Sequence, residues 1–135
     1  LEFNQNIFFD GQIYDAYSFV NDLIKLAKSE IVLIDNYIDD TVFTLFSKYQ
    51  NINFTIYTST ISKQLKLDFE KYSKQYKNIS LKTFKSSHDR FLIIDKKEIY
   101  HLGASLKDLG KKWFAFSKMS LNSLNLDDIL HKLEV

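Results

Sequence analysis

The stretch SSHDRFLIIDKKEIYHLGAS (86–105) decides the fold. Two apolar runs, DRFLIID and EIYHLGA, are separated only by Lys96 and Lys97, too short a link for a crossover helix. They must pair as an antiparallel hairpin. A turn symmetric about Lys96 and Lys97 sets Arg90 opposite Gly103, His88 opposite Ser105 and His101 opposite Leu92. Residues two apart on a strand share a face, so His88 and Arg90 project together. Asp95, at an odd offset from His88, falls on the other face and is expected to close the turn or hold a neighbouring backbone. Arg90 is the one arginine in a chain otherwise supplied with lysine. An imidazole, a guanidinium and a hydroxyl beside an unobstructed glycine make an anion site, and a guanidinium can grip phosphate with two parallel hydrogen bonds.

Upstream, strands and helices alternate. DAYSFVNDLIKLAKS (15–29) carries Ala16, Phe19, Val20, Leu23, Ile24 and Ala27 at helical spacing, with Asp15 as the expected cap. EIVLIDN (30–36), NFTIYTS (53–59) and ISLKTF (79–84) read as strands. DDTVFTLFSKY (39–49), capped by Asp39 or Asp40, and SKQLKLDFEKYSKQY (62–76) read as helices. Downstream, KKWFAFSKM (111–119) predicts a further strand and LDDILHKLEV (126–135) a closing helix. The economical assembly is an α/β domain whose mixed, mostly parallel sheet is flanked by helices on both faces. The carboxyl ends of its parallel strands then gather at the mouth of a crevice. Asp35, Asn36, Tyr37, Thr58 and Ser59 fall there, and Asn36 and Thr58 are candidate phosphate donors. Asp35 reads first as a buried, hydrogen-bonded carboxylate.

The bulk numbers bound the function. A length of 135 residues with 45% hydrophobic and 26% charged content suits one globular domain spanning 1–135. The net charge of +1 gives no global field toward polyanions, so any basic patch must be local. The chain has no cysteine, which excludes disulfides and thiolate metal sites and fits a cytoplasmic location. No apolar stretch reaches the roughly 18 residues of a membrane span, and the opening lacks the pattern of a signal peptide. The opening LEFNQN lacks an initiator methionine, and the expectation is a domain excised from a longer chain. Lys82 and Lys85 before the motif, and Lys107, Lys111, Lys112 and Lys118 after it, are candidates for a positive rim. Phe84, Phe91, Trp113, Phe114 and Phe116 read as core, and His131 as an exposed helix residue.

His88-Asp89-Arg90, four residues, Asp95, and then Gly103-Ala104-Ser105 resemble the signature of the phospholipase D superfamily: His-x-Lys, four residues, Asp, and a later Gly-Ser segment. The alternation of strands and helices before the motif resembles one half of such a domain. The resemblance therefore implies a phospholipase D-like half-domain and, by position, catalytic roles for His88 and Arg90. It implies phosphate binding by Arg90 and Ser105, structural roles for Asp95 and Gly103, and no metal or other cofactor. In this family one histidine attacks phosphorus and a second protonates the leaving oxygen. An imidazole titrating near neutrality suits both tasks. Only one motif is present, so the resemblance implies a homodimer with two His88 side chains across a twofold axis, or a second motif in the rest of the parent protein. Three departures stand out. Arg90 replaces the usual lysine, Gly103 lies one residue late with Ala104 inserted before Ser105, and SLKDLG lacks the asparagine expected after the serine.

Two functions follow. One is a metal-independent phosphodiesterase or nuclease acting through a phosphohistidine. The alternative is a catalytically degenerate dimerisation or nucleic-acid-binding module of a DNA-binding regulatory protein. The second is favoured by HDRFLIID…GASLKDLGKKWFAFSKM, which is similar to the C-terminal part of phage-type or virulence-associated bacterial DNA-binding proteins. Nothing resembles an interfacial helix or an acyl groove, which argues against lipid as substrate and against a membrane partner.

Overall fold

The first element among the described residues is a short strand, β1 (Gln5–Phe8), that its composition does not announce, followed by helix α1 (Ile13–Lys25). The structure is a computed structural model and describes residues 4–134. The remaining elements are β2 (Glu30–Ile34), α2 (Asp40–Ser47), β3 (Asn53–Thr58), α3 (Lys63–Gln75), β4 (Ile79–Thr83), β5 (Arg90–Ile94), β6 (Glu98–Leu102), β7 (Phe114–Met119) and α4 (Ser123–Glu134). A 3₁₀ turn, Leu106–Asp108, lies between β6 and β7. The strands form one sheet in the order β1-β7-β6-β5-β2-β3-β4.

The sheet is mixed, as expected, but less parallel than expected. Only β2–β3 and β3–β4 run parallel. The pairs β2–β5, β5–β6, β6–β7 and β1–β7 are antiparallel. The reason is the hairpin: once β5 enters antiparallel to β2, each later strand follows by a short connection and must reverse in turn.

Helices cover both faces unequally. Leu33, Phe54, Ile56, Leu92, Tyr100 and Leu102 point into a large core against α1, α2 and α3. On the other face Val32, Ile34, Tyr57, Ile93 and Ile99 pack against Leu126 and Leu133 of α4. Full burial of each such aliphatic side chain stabilises the fold by about 1.5–3 kcal/mol. Asp39 caps α2 by accepting from Thr41 N at 3.0 Å, and Ser62 caps α3 by accepting from Leu65 N at 3.1 Å. The expected cap of α1 is corrected. Helix α1 starts before Asp15, with Gln12 at the cap position and no side-chain cap bond. A glycine pair sets this start: Gly11 N donates to Gly110 O at 3.0 Å. A Cβ on Gly110 (φ +75°) would lie 2.5 Å from Ile13 Cα.

The hairpin register also differs from the symmetric expectation. The turn centres on Asp95 and Lys96, which take positive φ of 52° and 58°, and Lys97 N donates to Ile94 O at 2.9 Å. Arg90 is therefore paired with Leu102, not Gly103, and His101 with Phe91, not Leu92. His88 opposite Ser105 falls with the same shift. The cause is that Asp95 is pinned. Its N–H donates to Glu30 O at 2.9 Å. Its carboxylate accepts from the backbone N–H of Lys28, Ser29 and Glu30 at 2.9, 2.9 and 3.0 Å, and from Ser29 Oγ at 3.0 Å. Aspartate tolerates the left-handed region better than most residues, so the turn forms where the clasp holds it.

Candidate functional site

The ends of β2 and β3, the start of β5 and the end of β6 meet at one edge of the sheet, because Ile34 pairs with both Tyr57 and Phe91 and Arg90 pairs with Leu102. Arg90 begins β5 half-buried. Its Nε donates to Leu102 O at 3.3 Å and its Nη2 to Gly103 O at 2.8 Å. A guanidinium has five N–H donors, so three remain for a ligand. Arg90 lines a cleft of about 440 Å³ together with Tyr37, Gly103–Ser105, Asp108, Lys111, Lys112 and Trp113.

The wall of this cleft is tied to the sheet by Asp35. Its side chain is fully buried. Oδ2 accepts from Ser105 Oγ at 2.8 Å and from Leu106 N at 3.0 Å, and Oδ1 accepts from Tyr37 N at 3.0 Å. Ser105 Oγ also lies 3.3 Å from Tyr37 O. Burial pushes the Asp35 carboxyl above its ordinary range, while these hydrogen bonds and the Arg90 charge pull the other way. Gly103 matters for packing as well as access: a Cβ there would sit 2.8 Å from the backbone oxygen of Ala115, to which Gly103 N donates at 2.8 Å.

His88 lies two residues before β5 and is exposed. Among the described residues it has no hydrogen bond or ion pair. Its loop is held on either side, since Asn36 Nδ2 donates to Ser87 O at 2.8 Å and Ser87 Oγ donates to Asp89 O at 2.9 Å. Asp89 Oδ2 lies 3.7 Å from His101 Nε2. Arg90, Gly103 and Ser105 thus share the cleft, whereas His88, Asn36 and Thr58 sit at the same end of the sheet without lining it. Thr58 is 1% exposed, and its Oγ1, like Asn36 Oδ1, is buried without a hydrogen-bond partner. Asp95 lies at the opposite end, in the clasp described above.

Two sequence readings need correction. Trp113 is not core: it is 67% exposed on the cleft, while Phe114 and Phe116 are buried. Trp113 immediately precedes β7, and neighbours along a strand face opposite ways, so it cannot join Phe114 and Phe116 in their core. The six lysines do not form one rim. Lys111 and Lys112 line the cleft, with Lys111 paired to Asp108 at 3.3 Å. Lys118 instead pairs with Glu98 at 3.6 Å, and Lys82 lies over the Tyr57 ring in a separate cavity. The feature missing from the sequence reading is the tie itself. An aspartate ending an apolar run and a serine 70 positions later give no local sign that they bond.

No protein-family profile matches the chain, and no curated protein matches it. Solved structures do. NucT from Helicobacter pylori superposes with a TM-score of 0.66 at 14% identity, covering 98% of this chain and 94% of that one. TrmBL2, an archaeal chromatin protein, matches with a TM-score of 0.62 at 14% identity over 98% of this chain and 50% of that one. Polyphosphate kinase from Porphyromonas gingivalis matches with a TM-score of 0.59 at 12% identity, over 99% of this chain and 22% of the kinase. Across nearly its whole length, then, this chain has the phospholipase D-like half-domain fold.

Proposed function

We propose that the domain binds the phosphodiester backbone of nucleic acid, with Arg90 as the principal phosphate ligand. The observation that carries this reading is the state of the guanidinium. Two donors anchor it to the carbonyls of Leu102 and Gly103, which fixes its direction, and the residue lines an open cleft beside Lys112 with donors to spare. Positive donors held in place before the ligand arrives bind phosphate without a further ordering cost. The fold likeness to the nuclease NucT and to TrmBL2, whose structure shows a mode of DNA binding, supports nucleic acid as the polyanion.

A second reading, metal-independent hydrolysis, is favoured by the exposed imidazole two residues before Arg90. His88 of one copy attacks phosphorus, and the leaving oxygen takes a proton from the imidazolium of a second copy's His88. Water then displaces the histidine and returns the proton. One chain supplies one such imidazole at this edge, so the reaction requires a second imidazole, from another copy of the domain or from a second motif elsewhere in a longer parent protein. His88 has no carboxylate orienting it among the described residues, which is why binding ranks ahead of turnover.

The test is binding of single- and double-stranded DNA in EDTA by the native domain, Arg90→Ala and His88→Asn. Salt-sensitive binding that Arg90→Ala weakens alike for all sequences, with the salt slope reduced by about one, supports the first reading. Cleavage that survives EDTA and disappears in His88→Asn establishes the second. A native domain without affinity for any phosphodiester sinks both. Light scattering checks the dimer, and a monomer at micromolar concentration removes the two-copy site, leaving a second motif in the parent protein as the only source of the other imidazole.

A further inference from the structure

Trp113 and Tyr37 are 67% and 59% exposed, yet both are held. The Trp113 indole Nε1 donates to Asp10 Oδ1 at 2.9 Å, and the ring meets Phe9 edge-on at 4.6 Å between centroids. The backbone of Tyr37 is held, since its N–H donates to Asp35 and its carbonyl lies 3.3 Å from Ser105 Oγ. Both aromatic residues line the cleft together with Arg90, Lys111 and Lys112. Exposing an indole to water forgoes hydrophobic stabilisation, and locking its orientation adds a cost in rotamer freedom. A ring so placed suits a ligand with a flat apolar face and a phosphate close by.

We propose that Trp113 and Tyr37 form a stacking subsite for unpaired bases, which makes this cleft selective for single-stranded polynucleotide. The inference rests on the phosphodiester-binding reading and adds to it the strandedness of the ligand. A duplex presents phosphates outward and keeps its bases stacked on one another, so it can engage Arg90 and Lys112 but not the aromatic faces. A single strand can engage both, and every base has a face to stack. Asp10 is then a positioning residue that acts through the indole.

Trp113 is the only tryptophan, so its fluorescence reports the subsite directly. The probes are an oligothymidylate, an abasic strand of the same length and a duplex. They are titrated against the His88→Asn protein so that no strand is consumed. The oligothymidylate is expected to quench Trp113 and to bind at least about tenfold more tightly than the abasic strand, which leaves the fluorescence unchanged. Trp113→Ala, followed by anisotropy of labelled strands, should lose about tenfold to a hundredfold for the base-bearing strand. It should bind duplex and abasic strand as before. Trp113→Phe should recover most of the loss, and Asp10→Ala should fall between. Equal affinity for base-bearing and abasic strands, or a neutral Trp113→Ala, overturns the subsite while leaving phosphate binding intact. A protein that binds none of the three probes overturns both. A blue shift of Trp113 emission that grows with protein concentration, without nucleic acid, also overturns it, since the ring would then be covered by a second copy.

Discussion

An aspartate stands at each end of the β2–β5 pair, and the two do similar work under opposite conditions. Asp95, at the turn end, is partly exposed and gathers four hydrogen bonds from residues 28–30. Burial is the largest single influence and raises its carboxyl, but the hydrogen bonds together outweigh it and hold the group at about 2, against an ordinary 3.8. Asp35, at the cleft end, is fully buried and receives three, and there burial dominates and pushes the carboxyl up. The clasp at Asp95 leaves nothing over for a ligand. The tie at Asp35 organises the wall of the cleft from behind, and the carboxylate that does line the cleft, Asp108, is paired with Lys111.

The contrast breaks most visibly with Asp35→Ala. Leu106 N, Tyr37 N and Ser105 Oγ would lose their acceptor, two of them in the interior, and the expected loss is about 3–5 kcal/mol in chemical denaturation. Binding should fall with it as the Gly103–Ser105 wall loosens. Asp95→Asn should cost less, about 1–2 kcal/mol at pH 7, because water reaches the released N–H groups and screens the charge. Its pH dependence carries the sign. The folded value lies below the unfolded one, so the carboxylate's contribution is complete above about 3.8 and is lost as pH falls toward 2. The gap between native and Asp95→Asn stability should close over that interval. Asp35 runs the other way: its folded value is raised, so its contribution is present below 3.8 and is lost as pH climbs through the raised value. Ser105→Ala is the gentlest change, about 1 kcal/mol. It should move the Asp35 carboxyl higher still, by carbon-detected NMR titration, because one stabilising donor to the charged form is gone. A Ser105→Ala protein with an unmoved Asp35 would show that the hydroxyl does not favour the carboxylate.

The alternation of strands and helices was legible because β2 and β3 are apolar runs covered on both sides and α1 carries a clean apolar stripe. Strand β1 was not: Gln5–Phe8 is largely exposed at a sheet edge and offers one buried ring side, Phe8, to mark it. The register slipped by one because neither Asp95 nor Lys96 advertises a positive φ as glycine would. At the site, His88, Arg90 and Ser105 were read from the motif spacing, and the structure places them at one end of the sheet. What no local pattern carries is how they are held: the Asp35–Ser105 tie joins segments distant in sequence. Trp113 was lost to a different error, since alternation alone forbids it from sharing a core with its neighbour Phe114. Among the described residues, no helix is long and apolar enough to cross a membrane.

The pairing of Gln5–Phe8 with Phe114–Met119 has a consequence for how the molecule assembles. Every other neighbouring strand pair is linked through a nearer stretch of chain, so β1 faces the greatest loop-closure entropy and is expected to dock last. Until it arrives, the rings of Phe19, Phe114 and Phe116 wait without Phe8 to cover them. The rim that carries Asp10 and the indole is therefore expected to become ordered late in folding, which hydrogen-exchange labelling during refolding would check.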